Sequence, residues 1–508
     1  MTGSQNLDIE PPPDAAGEAR APSERLRFPG LYAFVGSGCL LVLELVAGRI
    51  LAPTIGVSLY TWTSIIGVVL AGISLGNWLG GKIADRAPGR ATLSSLYLLS
   101  ALTSSLILAF SRDLEKIAAP HTWPAVTQVL WLTMLVFFIP STLLGTMTPM
   151  LIKLSLRSLG ATGRVVGRIQ AAATLGSIVG TFITGFFLIS WFGTRAIVAG
   201  VCGALLVLAI GSNPLWTRRS RVNVAAVIIF VAAMALITKN PCLRESNYYC
   251  IRIETARNGE VLILNLDRLD HGRVDLADPT NLLYPYETLY EQVLTARYPE
   301  GANVDSFLIG GGTYTMPRWL EKRFDGRVLV AEIDPVVTEV AHDYLRLSRE
   351  TTIETINDDA RIVALDMGED ERFDVILGDA FNDAAIPYHL TTLEFNELVK
   401  SRMRPDGIYM INVVDGVEYG FMRSFVLTLR EHFAHVRLLA LESRWPVDGR
   451  NGTFVVAASD AELPDVPATV PVDELDEFVR REGSILLRDD HVPVDQLLAP
   501  NFRQRLER

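Results

Sequence analysis

Four acidic positions close apolar runs, or lie just past them, in the second half of the chain: Glu332, Asp358-Asp359, Asp379 and Asp383. A glycine turn, Gly310-Gly311-Gly312, precedes them, and Glu332 stands twenty positions after Gly312. The order is strand, glycine turn, helix, strand, acid, and a nucleoside site needs that order. Glycines at 310 and 312 let backbone approach a ligand, and a carboxylate at 332 accepts hydrogen bonds from ribose hydroxyls. Asp359 is placed to accept from an adenine amino group, with Asp358 beside it. Asp379 ends Phe373–Gly378 and would face the reacting end of the ligand. A carboxylate there can hold a cationic amine or take its proton, because an amine attacks only through a free lone pair. Each acid alone could equally be a helix N-cap or a solvated loop acid; one shared site explains them together. His389 reads as a structural histidine. No His/Cys grouping has metal-ligand spacing, so no metal is expected.

The elements that must hold these acids alternate between strand and helix from Val304 onward. Strands are expected at 304–309, 327–332, 352–356, 373–378, 407–413, 435–441 and 452–458, with helical patterns between most of them. That alternation predicts an α/β doubly wound, Rossmann-like domain over 301–460, in which ligands lie beyond the carboxyl ends of the strands. The last two strands read as an antiparallel closing hairpin. Upstream, 241–300 reads as a small β-meander and linker, turning at Arg257-Asn258-Gly259. Residues 461–508 read as an acidic, mostly irregular C-terminal tail.

The first half has a different composition. Hydrophobic residues make up 49% of the 508-residue chain and concentrate before residue 240. Residues 1–27 read as a disordered tail. The region 28–240 holds about seven apolar segments of spanning length, near 31–52, 60–82, 91–110, 125–152, 165–190, 194–211 and 222–238. Pro140 and Pro149 predict a kink in the fourth. Small residues at helical spacing, Gly72, Gly76 and Gly80, then Gly176 and Gly180, predict close helix packing in lipid. Glu44 sits mid-span in the first segment, and an ionised group there needs a partner or a function. Arg49, five residues on, lies on another helix face.

Charge divides the chain in the same way. Residues 1–240 carry 18 Lys and Arg against 9 Asp and Glu, and residues 241–508 carry 28 against 48. An acidic second half argues against nucleic acid and favours a small cationic partner. Lys and Arg gather in the 82–90, 153–168 and 212–221 loops, which predicts that these loops and the N-terminus face the cytoplasm. Seven spans would then put the C-terminal domain outside a multi-pass protein of the cell membrane. Cys242 and Cys250, just after the last span, could pair as a disulfide there or remain free thiols.

The runs Leu308-Ile-Gly-Gly-Gly312, Ala331-Glu-Ile-Asp-Pro335, Asn357-Asp-Asp-Ala360 and Gly378-Asp-Ala380, with Tyr286-Glu287 and Pro387–Phe395, resemble the spermidine synthase family of polyamine aminopropyltransferases. The N-terminal part resembles the multi-span region of membrane-embedded spermidine synthase-like proteins. Gly81–Arg90 is similar to a cytoplasmic loop motif of major facilitator transporters. The resemblance implies transfer of an aminopropyl group from decarboxylated S-adenosylmethionine to a diamine such as putrescine. It implies that Gly310, Gly312, Thr313, Glu332, Asp358, Asp359 and Asp379 contact the co-substrate, and that Asp379 and Asp383 serve catalysis. Tyr286, Glu287 and Asn382 would contact the amine. Implied partners are the polyamine and the lipid bilayer; a homodimer is a possible assembly.

Three positions depart from the family's pattern. Thr313 replaces the acid that closes the family's glycine motif, Asn382 replaces a second loop acid, and Pro285 precedes Tyr286-Glu287 where the family has Tyr-His-Glu. Thr313 is no handicap to an S-adenosylmethionine-dependent methyltransferase, which is one alternative. A non-catalytic polyamine or nucleoside sensor coupled to a transporter-like bundle is the other.

Overall fold

The bundle and the soluble domain meet at one end of the helices, which follows from where the polar contacts fall. In the computed structural model, the described residues are 26–56, 58–110, 123, 125–156, 158–213, 218–238, 240–380, 386–416, 418–441 and 452–498. The expected disordered tail through residue 25, the 111–122 loop, Asn382 and Asp383 lie outside them.

Among the described residues, six helices are long and apolar enough to cross a membrane: α1 (Pro29–Ile55), α2 (Leu59–Arg86), α3 (Arg90–Phe110), α4 (Thr127–Ser155), α5 (Leu159–Trp191) and α6 (Thr194–Ser212). The seventh expected segment is also a helix, α7 (Arg218–Ile237). Its apolar part, Arg221–Ile237, is shorter, because arginines occupy its first turn. The π-turn at Met134–Phe138, just before Pro140, interrupts α4 where the missing N–H frees a carbonyl. The glycine stripes pack as their spacing requires. A Cβ at Gly76 would lie 2.2 Å from the Thr142 carbonyl oxygen, and one at Gly176 would lie 1.9 Å from that of Phe34.

The two ends of the bundle differ chemically. At one end Lys153 pairs with Asp85 at 2.8 Å, and Arg90 donates to the Ser212 carbonyl at 2.8 Å. The three Lys/Arg-rich loops therefore share that end. At the other end Arg49 donates to the Asn247 carbonyl at 2.9 Å, the Thr194 amide donates to Glu245 at 2.7 Å, and Arg195 donates to Thr238 at 2.7 Å. The soluble domain sits there, opposite the basic loops.

That domain begins with a four-stranded antiparallel meander, β1 (Arg244–Glu245), β2 (Cys250–Ala256), β3 (Val261–Leu266) and β4 (Leu269–Asp275). Asn258, at φ 57° in the expected turn, takes the left-handed conformation that a tight reversal needs. Helix α8 (Pro285–Arg297) leads into β5 (Ser306–Ile309), α9 (Thr315–Arg323), β6 (Val328–Ala331), α10 (Pro335–Tyr344), β7 (Glu354–Ile356), α11 (Ala360–Asp366) and β8 (Phe373–Gly378). Then come α12 (Leu393–Ser401), β9 (Met403–Asp415), α13 (Gly420–Arg430), β10 (His435–Leu439) and β11 (Gly452–Ser459).

The seven-stranded sheet runs β10-β11-β9-β8-β5-β6-β7. Strands β5 to β9 are mutually parallel, and β11 is antiparallel to both β9 and β10, so the closing hairpin is present. Fully buried, almost wholly apolar strands such as Ser306–Ile309 and Val328–Ala331 are what a sheet covered on both faces demands.

One expectation is corrected. The stretch read as an irregular tail carries α14 (Val472–Val479), whose Leu475, Phe478 and Val479 are buried in the main apolar core with Leu487 and Val494. Apolar residues at helical spacing within an acidic run produced it, and the acids face outward.

Candidate active site

The site is built where β5 and β8 end side by side. Gly310 leaves β5 at φ +101°, and its N–H donates to the Ala331 carbonyl at 2.9 Å. A Cβ here would meet the Asp379 carbonyl oxygen at 2.5 Å, so only glycine allows the two loops to touch. Gly312 is also left-handed, at φ +51°. Glu332, just past β6, pins this turn. One carboxylate oxygen accepts from the Gly311 N–H at 2.7 Å and the other from the Asp334 N–H at 3.0 Å. Burial raises its pKa above the ordinary carboxylate range, against the pull of those amides.

Asp379 follows β8, with its N–H on the Ile309 carbonyl at 2.9 Å. Its carboxylate accepts from the Tyr286 phenol at 2.6 Å and from the Asn412 side-chain amide at 2.8 Å. Burial lifts its pKa, and the two hydrogen bonds oppose that rise. Tyr286 reaches it from the first turn of α8, where Pro285 fixes the helix start, and Tyr290 one turn later donates to the Gly378 carbonyl at 3.1 Å. Glu287 is 2% exposed and accepts from the Tyr284 N–H at 2.9 Å, and burial pushes its carboxyl up to about 8. Thr313 is buried beside it, its hydroxyl 2.9 Å from that of Thr315.

Asn412 and His271 are site residues that the sequence reading missed. Asn412 stands one residue beyond Ile411, the β9 partner of Gly378, which puts it beside Asp379. Its signal was a lone amide in the apolar run Ile408–Val414. With the amide nitrogen on Asp379, its Oδ1 is buried with no partner among the described residues. His271 on β4 has a buried Nε2 with no partner among the described residues, and burial lowers its pKa to about 4, so it is neutral at physiological pH. One narrow cavity is lined by His271, Tyr286, Glu287, the three glycines, Thr313 and Asp379.

The acids after β7 stand apart from that cavity. Asp359 caps α11 through the Arg361 N–H at 2.9 Å, and its other oxygen lies 2.8 Å from His389 Nε2. The His389 hydrogen bond chiefly holds its pKa below the ordinary value. Asp358 is exposed and accepts from the Asp359 N–H at 2.7 Å. Cys242 and Cys250 form a disulfide at the junction of bundle and domain. Glu44 is half-buried in mid-α1, away from this cavity, and Arg49 turns to the carbonyls of Ser246 and Asn247.

The comparisons with known proteins bear on this geometry. No family model matches the chain. It is 28% identical over 146 residues to a probable polyamine aminopropyl transferase of Bifidobacterium longum, covering 26% of this chain and 32% of that protein. It is 26% identical over 343 residues to a polyamine aminopropyltransferase of Corynebacterium efficiens, covering 60% and 63%. This chain is similar to polyamine aminopropyltransferases. It spans less than two thirds of the length of these relatives. Among solved structures, a probable spermidine synthase from Corynebacterium glutamicum aligns with a TM-score of 0.43 at 22% identity, over 48% of this chain and 95% of that one.

Proposed function

We propose that the chain is a membrane-anchored aminopropyltransferase that uses decarboxylated S-adenosylmethionine and a small diamine such as putrescine. The observation that carries this reading is the pair formed by Asp379 and Asn412 beside the glycine turn. Among the described residues each Asp379 oxygen has one donor, from Tyr286 or from Asn412, and keeps a lone pair in a cavity that the glycine turn also lines, where an amine would attack. Tyr286 holds the carboxylate in place. In the reaction, the amine lone pair attacks the propyl carbon bound to sulfonium. A C–N bond forms, the C–S bond breaks, and its electrons neutralise the sulfur to give methylthioadenosine. The extra amine proton passes to Asp379. Alignment supplies most of the acceleration in such a displacement. Gly310 and Gly312 would pass the thioether chain and Glu332 would take the ribose hydroxyls. Asp359, already capping α11, would meet the adenine amino group with its remaining lone pairs.

Thr313 supports a second reading. Its hydroxyl is engaged with Thr315 and offers no carboxylate to an aminopropyl ammonium, as a methyltransferase would allow. Calorimetry on the purified full chain separates the two. The aminopropyl reading expects tighter binding of decarboxylated S-adenosylmethionine than of S-adenosylmethionine, and the reverse order supports methyl transfer.

The active domain is proposed to face away from the cytoplasm. It lies at the end of the bundle opposite the basic loops, and the paired Cys242 and Cys250 suit an oxidising compartment. Protease digestion of sealed right-side-out vesicles should cleave the domain; protection would reverse the assignment.

A further inference from the structure

The loop Cys242–Cys250 is joined at its base by the disulfide, and its tip bonds to Arg49 of α1 on one side and to Asp334 at the start of α10 on the other. Arg49, nearly two turns before the end of α1, donates from its two terminal nitrogens to two successive carbonyls at that tip, Ser246 and Asn247. The Ser246 hydroxyl donates to Asp334, which is fully buried, and accepts from the N–H groups of Tyr248 and Tyr249 at 3.0 and 2.9 Å. Asp334 in turn caps α10 and donates its own N–H to Glu332 at 3.0 Å, and Glu332 holds the Gly311 N–H at 2.7 Å. A continuous chain of hydrogen bonds thus runs from a membrane helix to the turn where the nucleoside would lie. Two rings extend the same wall. Tyr249 packs beside His271 of the cavity at 6.3 Å between centroids, and Tyr248 is 46% exposed in the field of Asp334, Asp358, Asp359 and Glu332.

We infer that Arg49 is a positioning residue for nucleoside binding: through Ser246 and Asp334 it fixes Glu332, so α1 and the disulfide-closed loop set the affinity of the soluble domain for its co-substrate. This rests on the nucleoside reading above. The chain has few alternatives to its observed geometry. A guanidinium fork gripping two carbonyls fixes the direction of the loop as well as its distance, and a single-point cation would not. Asp334 is buried, so losing the Ser246 hydroxyl leaves a carboxylate oxygen unpaired and strains the segment 332–336 that carries the ribose carboxylate. The role is distinct from simple attachment of domain to bundle, because attachment alone predicts no effect on ligand affinity.

The test uses full-length protein in nanodiscs and calorimetric titration with decarboxylated S-adenosylmethionine and with S-adenosylmethionine. Arg49→Ala and Ser246→Ala are each expected to weaken binding of the preferred ligand about tenfold, the loss of one hydrogen bond to a charged group. KM should rise with kcat at saturation unchanged. The double variant should be no weaker than the worse single one, since both break one chain. If Arg49→Ala does not fold, Ser246→Ala carries the test, because the arginine's grip on the loop remains. Unchanged affinity and KM in a folded variant overturn the inference while leaving the functional reading intact. Wild-type protein that binds neither ligand overturns both.

Discussion

The Tyr286 phenol and the Asp379 carboxylate, 93 residues apart in the chain, meet in a 2.6 Å hydrogen bond. The bond joins the first turn of α8 to the end of β8, so the helix after the meander controls the acid at the centre of the sheet. It also opposes the burial that raises the Asp379 pKa. Activity that needs the ionised acid falls as pH drops through this raised value. Tyr286→Phe removes a bond that favours the ionised form, so the pKa rises further. The acid limb of the kcat/KM profile should move to higher pH in the variant, and a limb that stays in place would deny Asp379 the role of base.

Asp379→Asn keeps the shape of the group and removes both its charge and its capacity to take a proton. Steady-state turnover should drop about 100-fold or more, the usual scale for losing a positioned general base. Co-substrate affinity should change far less, because the glycine turn and Glu332 remain.

Gly310→Ala tests the contact between the two loops. The backbone there is left-handed, and a Cβ would sit 2.5 Å from the Asp379 carbonyl oxygen. A loss of about 2 kcal/mol or more in stability is expected, together with loss of ligand binding. Thermal unfolding of the full chain with and without ligand measures both.

Glu287 makes stability depend on pH in a set direction. Its folded pKa is raised by burial to about 8 from an ordinary 4.5. Between those values the unfolded chain has released the proton and the folded chain keeps it, so stability falls as pH rises. The cost grows through that window and levels off above about pH 8, on the order of 5 kcal/mol. Glu287→Gln should flatten this dependence and melt higher than wild type at pH 8. A melting temperature equally pH-dependent in both would contradict it.

How much of this was legible in the sequence follows from the range of each interaction. Strand periodicity and the glycine turn are local, and β5, β6, β8 and the closing hairpin fall where 304–309, 327–332, 373–378 and the last two runs predict. The spacing of Gly72, Gly76 and Gly80 likewise announced the packing of α2 on α4. Long-range pairing was not legible. Asn412 reaches Asp379 only through the β8–β9 register, and His271 enters from a meander strand. The partner of Arg49 is a loop almost 200 residues on. The role of Asp359 as an N-cap paired with His389 was open in the sequence and is decided by the start of α11. In 461–508 the acidic composition masked the apolar spacing of Leu475, Phe478 and Val479.

The central claim is tested most directly by product analysis. Purified full-length protein is incubated with decarboxylated S-adenosylmethionine and, in turn, putrescine and longer diamines, and methylthioadenosine and the elongated polyamine are quantified by mass. The account predicts both products in equal amounts, with formation lost in Asp379→Asn. No product with any diamine, or product formed as fast by Asp379→Asn as by wild type, would contradict it.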